Sequence, residues 1–157
     1  MTSIGDEFAG PTPQIAAADA AAAIAFYREA FGADELVRNH APDGRIMHSE
    51  LLICDGRLLV VDEFGGDDLR APTGANATTV RLHLYVADVD AVFERALAAG
   101  ANPVRAPAVE FWGDRYAVIR DPMGHLWSLA TQVDELSPGG HNLRARAWVM
   151  TQPPTPD

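Results

Sequence analysis

The sequence predicts an α+β fold built from two βαβββ modules, and three observations carry that expectation. A helical segment with an acidic cap and a glycine stop occurs twice. The turns and strands that follow each copy keep nearly the same register, and a short strand precedes each one. At 157 residues, the chain holds one domain's worth of core.

Module one is expected over residues 12–64. It opens with a short strand, Pro13 to Ala17. The run from Asp19 to Gly32 follows, with Ile24, Tyr27 and Phe31 on one helical stripe, so this helix lies on something. Asp19 suits the N-cap because its carboxylate accepts from a backbone N–H that the helix leaves without a partner. Gly32 suits the stop because it tolerates the left-handed conformation. Leu36-Val-Arg38 begins the next strand and Asp43-Gly44 turns it. Met47 to Ile53 and Arg57 to Asp62 are the last two strands, joined by a turn at Asp55-Gly56. Residues 65–78, rich in Gly, Pro and Asp, form a linker on the surface that is placed to act as a lid.

Module two, residues 79–132, repeats the plan. Val80 to Val86 is a strand with β-branched and aromatic enrichment. The segment from Asp88 to Gly100 is the second helix, with Val89, Val92, Phe93, Ala96 and Leu97 at i, i+3, i+4, i+7 and i+8. Pro103-Val-Arg105 answers Leu36-Val-Arg38, and Trp112-Gly113 answers Asp43-Gly44. Arg115 to Arg120 and His125 to Thr131 close the module around Pro122-Met-Gly124. Residues 1–11 read as a flexible N-terminus and 133–157 as a partly disordered tail, part of which docks through Trp148 and Met150.

Composition narrows the function classes. With 48% hydrophobic and 22% charged residues, the chain is too apolar to be disordered. Its net charge of -10 and pI near 4.8 repel phosphate backbones and anionic lipid, so neither nucleic acid nor a membrane is an expected partner. Cys54, the only cysteine, falls in the apolar stretch Leu51 to Val61, where a thiolate is disfavoured; a disulfide framework and a Cys-based zinc cluster are both excluded. There is no secretion signal and no run of roughly 18 apolar residues, so the expectation is a soluble, cytoplasmic protein. Nucleophile elbows and phosphate-cradling glycine loops are absent too.

Four ordered motifs add a resemblance: Ile24-Ala-Phe-Tyr-Arg-Glu-Ala-Phe-Gly-Ala33, Met47-His-Ser-Glu-Leu51, His83-Leu-Tyr-Val-Ala-Asp-Val-Asp90, and Gly113-Asp-Arg with Arg120-Asp-Pro-Met-Gly-His-Leu-Trp127. On these, the stretch from about 12 to 132 resembles the vicinal oxygen chelate superfamily, which contains glyoxalase I, bleomycin-resistance proteins and extradiol dioxygenases. More narrowly it looks like the PhnB-like branch. The resemblance implies an incomplete barrel with a central cleft between the modules that holds substrate or ligand.

It also implies where a divalent metal would sit: near the start of each module's first strand and in its last strand. Those positions fall near Thr12 and Arg81, and on Val60 and Ser128, none of which is a good ligand; an Arg repels the cation and a Val has no lone pair. A two-residue slip would substitute Gln14 and His83, with Glu50 as a further donor. The expectation is no bound cofactor; a divalent metal, if held, would use Gln14, His83 and Glu50.

His83 is the leading cleft residue. His48 and Glu50 share a strand face, either as an acid/base pair or as a solvated one. His125 reads as a structural turn residue. Arg115 and Arg120 are available to bind an anionic substrate, although with Asp114 and Asp121 adjacent a local ion pair or strand-end clamp is the simpler account. Trp127 alternates with Ser128 and should fill the core. The resemblance turns Trp112 and Tyr116 towards the cleft. The ligand-binding set is then Gln14, Arg81, His83, Trp112, Tyr116 and Ser128, with His83, Glu50 and His48 as catalytic candidates.

Three readings follow: a protein that binds a small aromatic or hydrophobic molecule, a metal-dependent lyase, isomerase or dioxygenase, and a metal-free enzyme with a His general base. A homodimer is expected from the prevalence of two-fold oligomers.

Overall fold

The computed structural model describes residues 10–66, 68–74, 78–135 and 137–152. The chain runs β1 (Gln14–Ala17), α1 (Ala20–Phe31), β2 (Asp34–His40), β3 (Ile46–Ile53), β4 (Gly56–Asp62), β5 (Arg81–Tyr85), α2 (Val89–Ala98), β6 (Asn102–Val109), β7 (Asp114–Arg120), β8 (Leu126–Gln132) and α3 (Pro138–Val149). Two four-stranded mixed sheets result, ordered β1-β4-β3-β2 and β5-β8-β7-β6. In each, the first strand pairs parallel with the last and the remaining pairs are antiparallel. The sequence repeat is therefore a repeat of topology, and the sheets form no closed barrel.

The same local chemistry builds both halves. Asp19 and Asp88 cap α1 and α2, accepting from Ala22 N and Ala91 N at 2.9 and 3.0 Å. Gly32 ends α1 at φ 68, whereas α2 stops at Ala99 with Gly100 at φ 106 just beyond. The last strand of each module also reaches back to its helix: Asp62 Oδ1 accepts from Ala20 N at 2.8 Å and Thr131 Oγ1 from Val89 N at 2.8 Å. Gly44 and Gly113 occupy equivalent turns at φ 89 and 98.

One face of each sheet packs against the helices in a shared core that contains Ile24, Phe31, Leu51, Val60, Phe93, Ile119 and Trp127. Trp127 packs at a tilt against Phe31 and Tyr27, with centroids at 4.7 and 5.2 Å, as strand alternation requires. The modules are locked at Asp121. Its Oδ2 accepts from Tyr27 OH at 2.6 Å and Trp127 Nε1 at 3.0 Å, and its Oδ1 from the amides of Met123 and His125 at 2.9 Å. His125 Nε2 donates to the Ala16 carbonyl at 2.9 Å, which gives it the structural role read from the sequence.

Three features differ from the sequence reading. Cys54 is not inside a strand: it sits exposed in the β3–β4 turn at φ 52, because the hairpin closes over Cys54-Asp55, one residue early. Arg115 pairs with Asp90 of α2 rather than with Asp114, whereas Arg120 clamps the Gly124 carbonyl at the strand end. Helix α3 was not anticipated, since its sequence begins Pro138-Gly-Gly140 and has no apolar stripe. It is held by the Ser137 cap and by Trp148 packing on Phe111 at 5.1 Å. No helix among the described residues is long and apolar enough to cross a membrane. Residues 1–9 and 153–157, within the ends read as flexible, lie outside the described residues.

Candidate functional site

Alternation along β5 decides what faces away from the helices. Leu82 and Leu84 pack on the core, so Arg81, His83 and Tyr85 stand on the opposite, open face. The register places Ser128 of β8 beside His83, and Val118 of β7 beside Ser128. His83 Nδ1 lies 2.7 Å from the Ser128 hydroxyl, and its ring meets Tyr85 edge-on at 4.8 Å and stacks with Tyr116 at 6.2 Å. Arg81 donates from Nη1 to Tyr116 OH at 3.0 Å.

The β6–β7 turn supplies the rest of this shelf. Trp112 meets Tyr116 edge-on at 5.2 Å and donates from Nε1 to Asp114 Oδ2 at 2.9 Å. That carboxylate oxygen also accepts from Tyr85 OH at 2.8 Å. The bond to Asp114 is the main reason the Tyr85 phenol is raised above its ordinary range, with burial adding to it. Arg105 lies 5.8 Å over the Tyr116 ring and pairs with the buried Glu110.

The first sheet places its candidates differently. Gln14, Leu59 and Glu50 are cross-strand neighbours on its open face. Both Glu50 oxygens are engaged, one 3.1 Å from His48 Nε2 and the other accepting from Arg57 Nη1 at 2.6 Å. Val60, the last-strand position counted from the sequence, pairs with Ile15 and is fully buried against the helices; the outward residue opposite Gln14 is Leu59.

A cavity of about 750 Å³ opens between the modules. It is lined by residues 10–13, the β3–β4 turn region, residues 80–84 and Trp127. Arg81 and His83 belong to both this cavity and the shelf. A second space of about 350 Å³ lies beside Gln14 and His125, against linker residues that include Pro72 and Thr78.

Five sequence-predicted residues thus converge: Arg81, His83, Trp112, Tyr116 and Ser128. Glu50 and His48 pair with each other on the first sheet, and Gln14 lines the smaller space. Among the described residues, no three His, Cys, Asp or Glu side chains come together as metal ligands. Sequence reasoning missed Tyr85, Asp114 and Arg105. Tyr85 was legible, since it alternates with Arg81 and His83.

The sequence profile of the Glyoxalase/Bleomycin resistance protein/Dioxygenase superfamily matches residues 10–129. Uncharacterized proteins of Mycobacterium tuberculosis and Mycobacterium bovis are 45% identical over 130 residues, which is 80% of this chain and 76% and 85% of theirs. Among solved structures, TioX from Micromonospora sp. ML1 is similar at 29% identity and a TM-score of 0.63, covering 78% of this chain and 97% of that one. A glyoxalase-related enzyme from Fulvimarina pelagi shares the fold at 21% identity and a TM-score of 0.61, over 83% of this chain and 88% of its own. With both the topology and the profile in agreement over the two modules, the chain belongs to the Glyoxalase/Bleomycin resistance protein/Dioxygenase superfamily.

Proposed function

We propose that the protein binds a small aromatic or hydrophobic molecule on the shelf of module two and in the adjoining inter-module cavity, with a degenerate metal site. The observation that carries this reading is the convergence of Trp112, Tyr116, His83 and Tyr85, four rings in edge and stacked contact on an open sheet face. Aromatic pairs contribute roughly 0.5–1.5 kcal/mol beyond area burial, so an inserted planar ligand gains from each ring it meets. Titration with 2-naphthol, followed by tryptophan fluorescence, tests it. Wild-type fluorescence is expected to change saturably and Trp112→Ala to abolish the response; unaltered binding by that variant removes Trp112 from the site.

The donor set does not fit a chelated divalent cation. A guanidinium at Arg81 repels it, Ser128 offers only a hydroxyl already beside His83, and both Glu50 oxygens are taken. The metal-dependent lyase, isomerase or dioxygenase reading, with Gln14, His83 and Glu50 as ligands, is therefore disfavoured. Stoichiometric metal in protein purified without chelator, and lost in His83→Ala, would restore it.

A second reading rests on His83 itself. Ser128 fixes Nδ1, and Nε2 has no hydrogen-bond partner among the described residues. That is the arrangement of a general base, with Arg81 beside it to stabilise an oxyanion. Turnover by metal-free protein that disappears in His83→Gln supports this role.

We further assign the chain to the PhnB-like branch on its four motifs, residues 12–132 to one domain, and the cytoplasm as its compartment. The open sheet faces, which carry Tyr85 at 57% exposure and Val37 at 37%, favour a homodimer, for which light scattering is the test.

A further inference from the structure

We infer that the ligand bound on this shelf is a monoanion, an aromatic or hydrophobic carboxylate, and that Arg81 is its anchor. The inference rests on the binding reading above and gives the ligand a chemical class.

The charge pattern isolates Arg81. The chain has no lysine; its 12 basic residues are all arginines, set against 22 carboxylates. Among the described residues, eight arginines pair with a carboxylate, as that excess favours. Arg95 and Arg120 are committed to backbone carbonyls of Ala30 and Gly124. Arg146, the twelfth, is exposed on α3 and lines neither the inter-module cavity nor the smaller space beside Gln14. Arg81 is different, because its partner is a neutral phenol and it lines a cavity.

The geometry adds direction. Tyr116 OH engages Nη1 only, and the remaining guanidinium N–H groups have no protein acceptor among the described residues. The phenol steadies the guanidinium while Nε and Nη2, the parallel pair that matches the two oxygens of a carboxylate, stay available. Beside them lie the Tyr116 and His83 rings, which would meet the apolar body of the same molecule.

The surroundings limit the charge. Asp114, buried on the same face, already puts a carboxylate behind Trp112 and Tyr85. The other cation near Tyr116, Arg105, is paired with Glu110. One open guanidinium therefore faces the ligand, against a net charge of -10 for the chain. That balance suits a single negative charge and opposes a phosphate dianion.

The test is a matched pair of probes, 2-naphthoate and 2-naphthamide, titrated by calorimetry at low and moderate salt. Naphthoate is expected to bind roughly ten- to a hundredfold more tightly, the range of one charge-assisted hydrogen-bond pair, with the margin shrinking as salt rises. Arg81→Gln should erase the margin, bringing the naphthoate affinity of the variant down to its own naphthamide affinity. Arg115→Gln removes the same charge at a site paired with Asp90 and should keep the margin. Equal binding of the two probes by wild type, or a margin that survives Arg81→Gln, overturns the inference while the binding reading stands. Failure of both probes to bind overturns both.

Discussion

Asp121 shows how much one side chain contributes to this fold. Four donors converge on a carboxylate that is 2% exposed, two of them from a helix and a strand of different modules. Removing one donor leaves a buried oxygen short of a partner, so Tyr27→Phe is expected to cost about 1–3 kcal/mol in urea unfolding. Burial first, and then Asp121, raise the Tyr27 phenol well above its ordinary range. The folded state therefore holds that proton more firmly than the unfolded chain. The stability this contributes is complete below the unfolded phenol value of about 10 and is lost as pH rises above it. The urea midpoint should fall on the alkaline side, and the fall should be shallower in Tyr27→Phe. Gly124 is constrained twice, by φ +96 and by Pro72, whose Cβ lies 2.9 Å from where an alanine Cβ would be. Gly124→Ala is expected to destabilise by about 1–3 kcal/mol, as a lowered thermal midpoint would reveal.

Single residues were also where sequence reading ran out. Alternation placed Trp127 in the core, because a period of two is a local property, whereas His83 was read as a cleft residue without alternation fixing its face. Cys54 was misjudged because the hairpin turns one residue early and takes it out of the strand, and Val60 because the counted position falls one residue away from the outward-facing Leu59. The engagement of Glu50 by Arg57, like that of Asp121 by Tyr27, spans strands or modules, and no local pattern encodes it.

At the scale of elements, α1 and α2 were legible from cap, stripe and stop, and the eight strands from turn chemistry and the repeat. Each helix start is held twice, by its own aspartate and by a residue from the last strand of its module. Asp88→Ala should lower stability by roughly 0.5–2 kcal/mol, measured by chemical denaturation, with Thr131→Val acting at the Val89 amide in the same turn. Helix α3 was illegible because its hold on the body is tertiary, through Trp148 on Phe111, and its own sequence has two glycines in the first turn and no apolar face.

For the whole molecule, the repeat determines where function can sit. Two similar sheets cover one face each with helices and leave the other open; among the described residues, the second dresses its open face with Trp and Tyr rings and an arginine that has no carboxylate partner. The acidic balance of the chain therefore describes its exterior and not this shelf. Amide chemical-shift mapping with 2-naphthoate tests that claim most directly. Shifts concentrated on residues 81–85, 111–116 and 128, and lost in Trp112→Ala, are the predicted result. Saturable binding whose shifts fall on the first sheet around Glu50 and Gln14, with residues 81–85 and 111–116 unmoved, would contradict it.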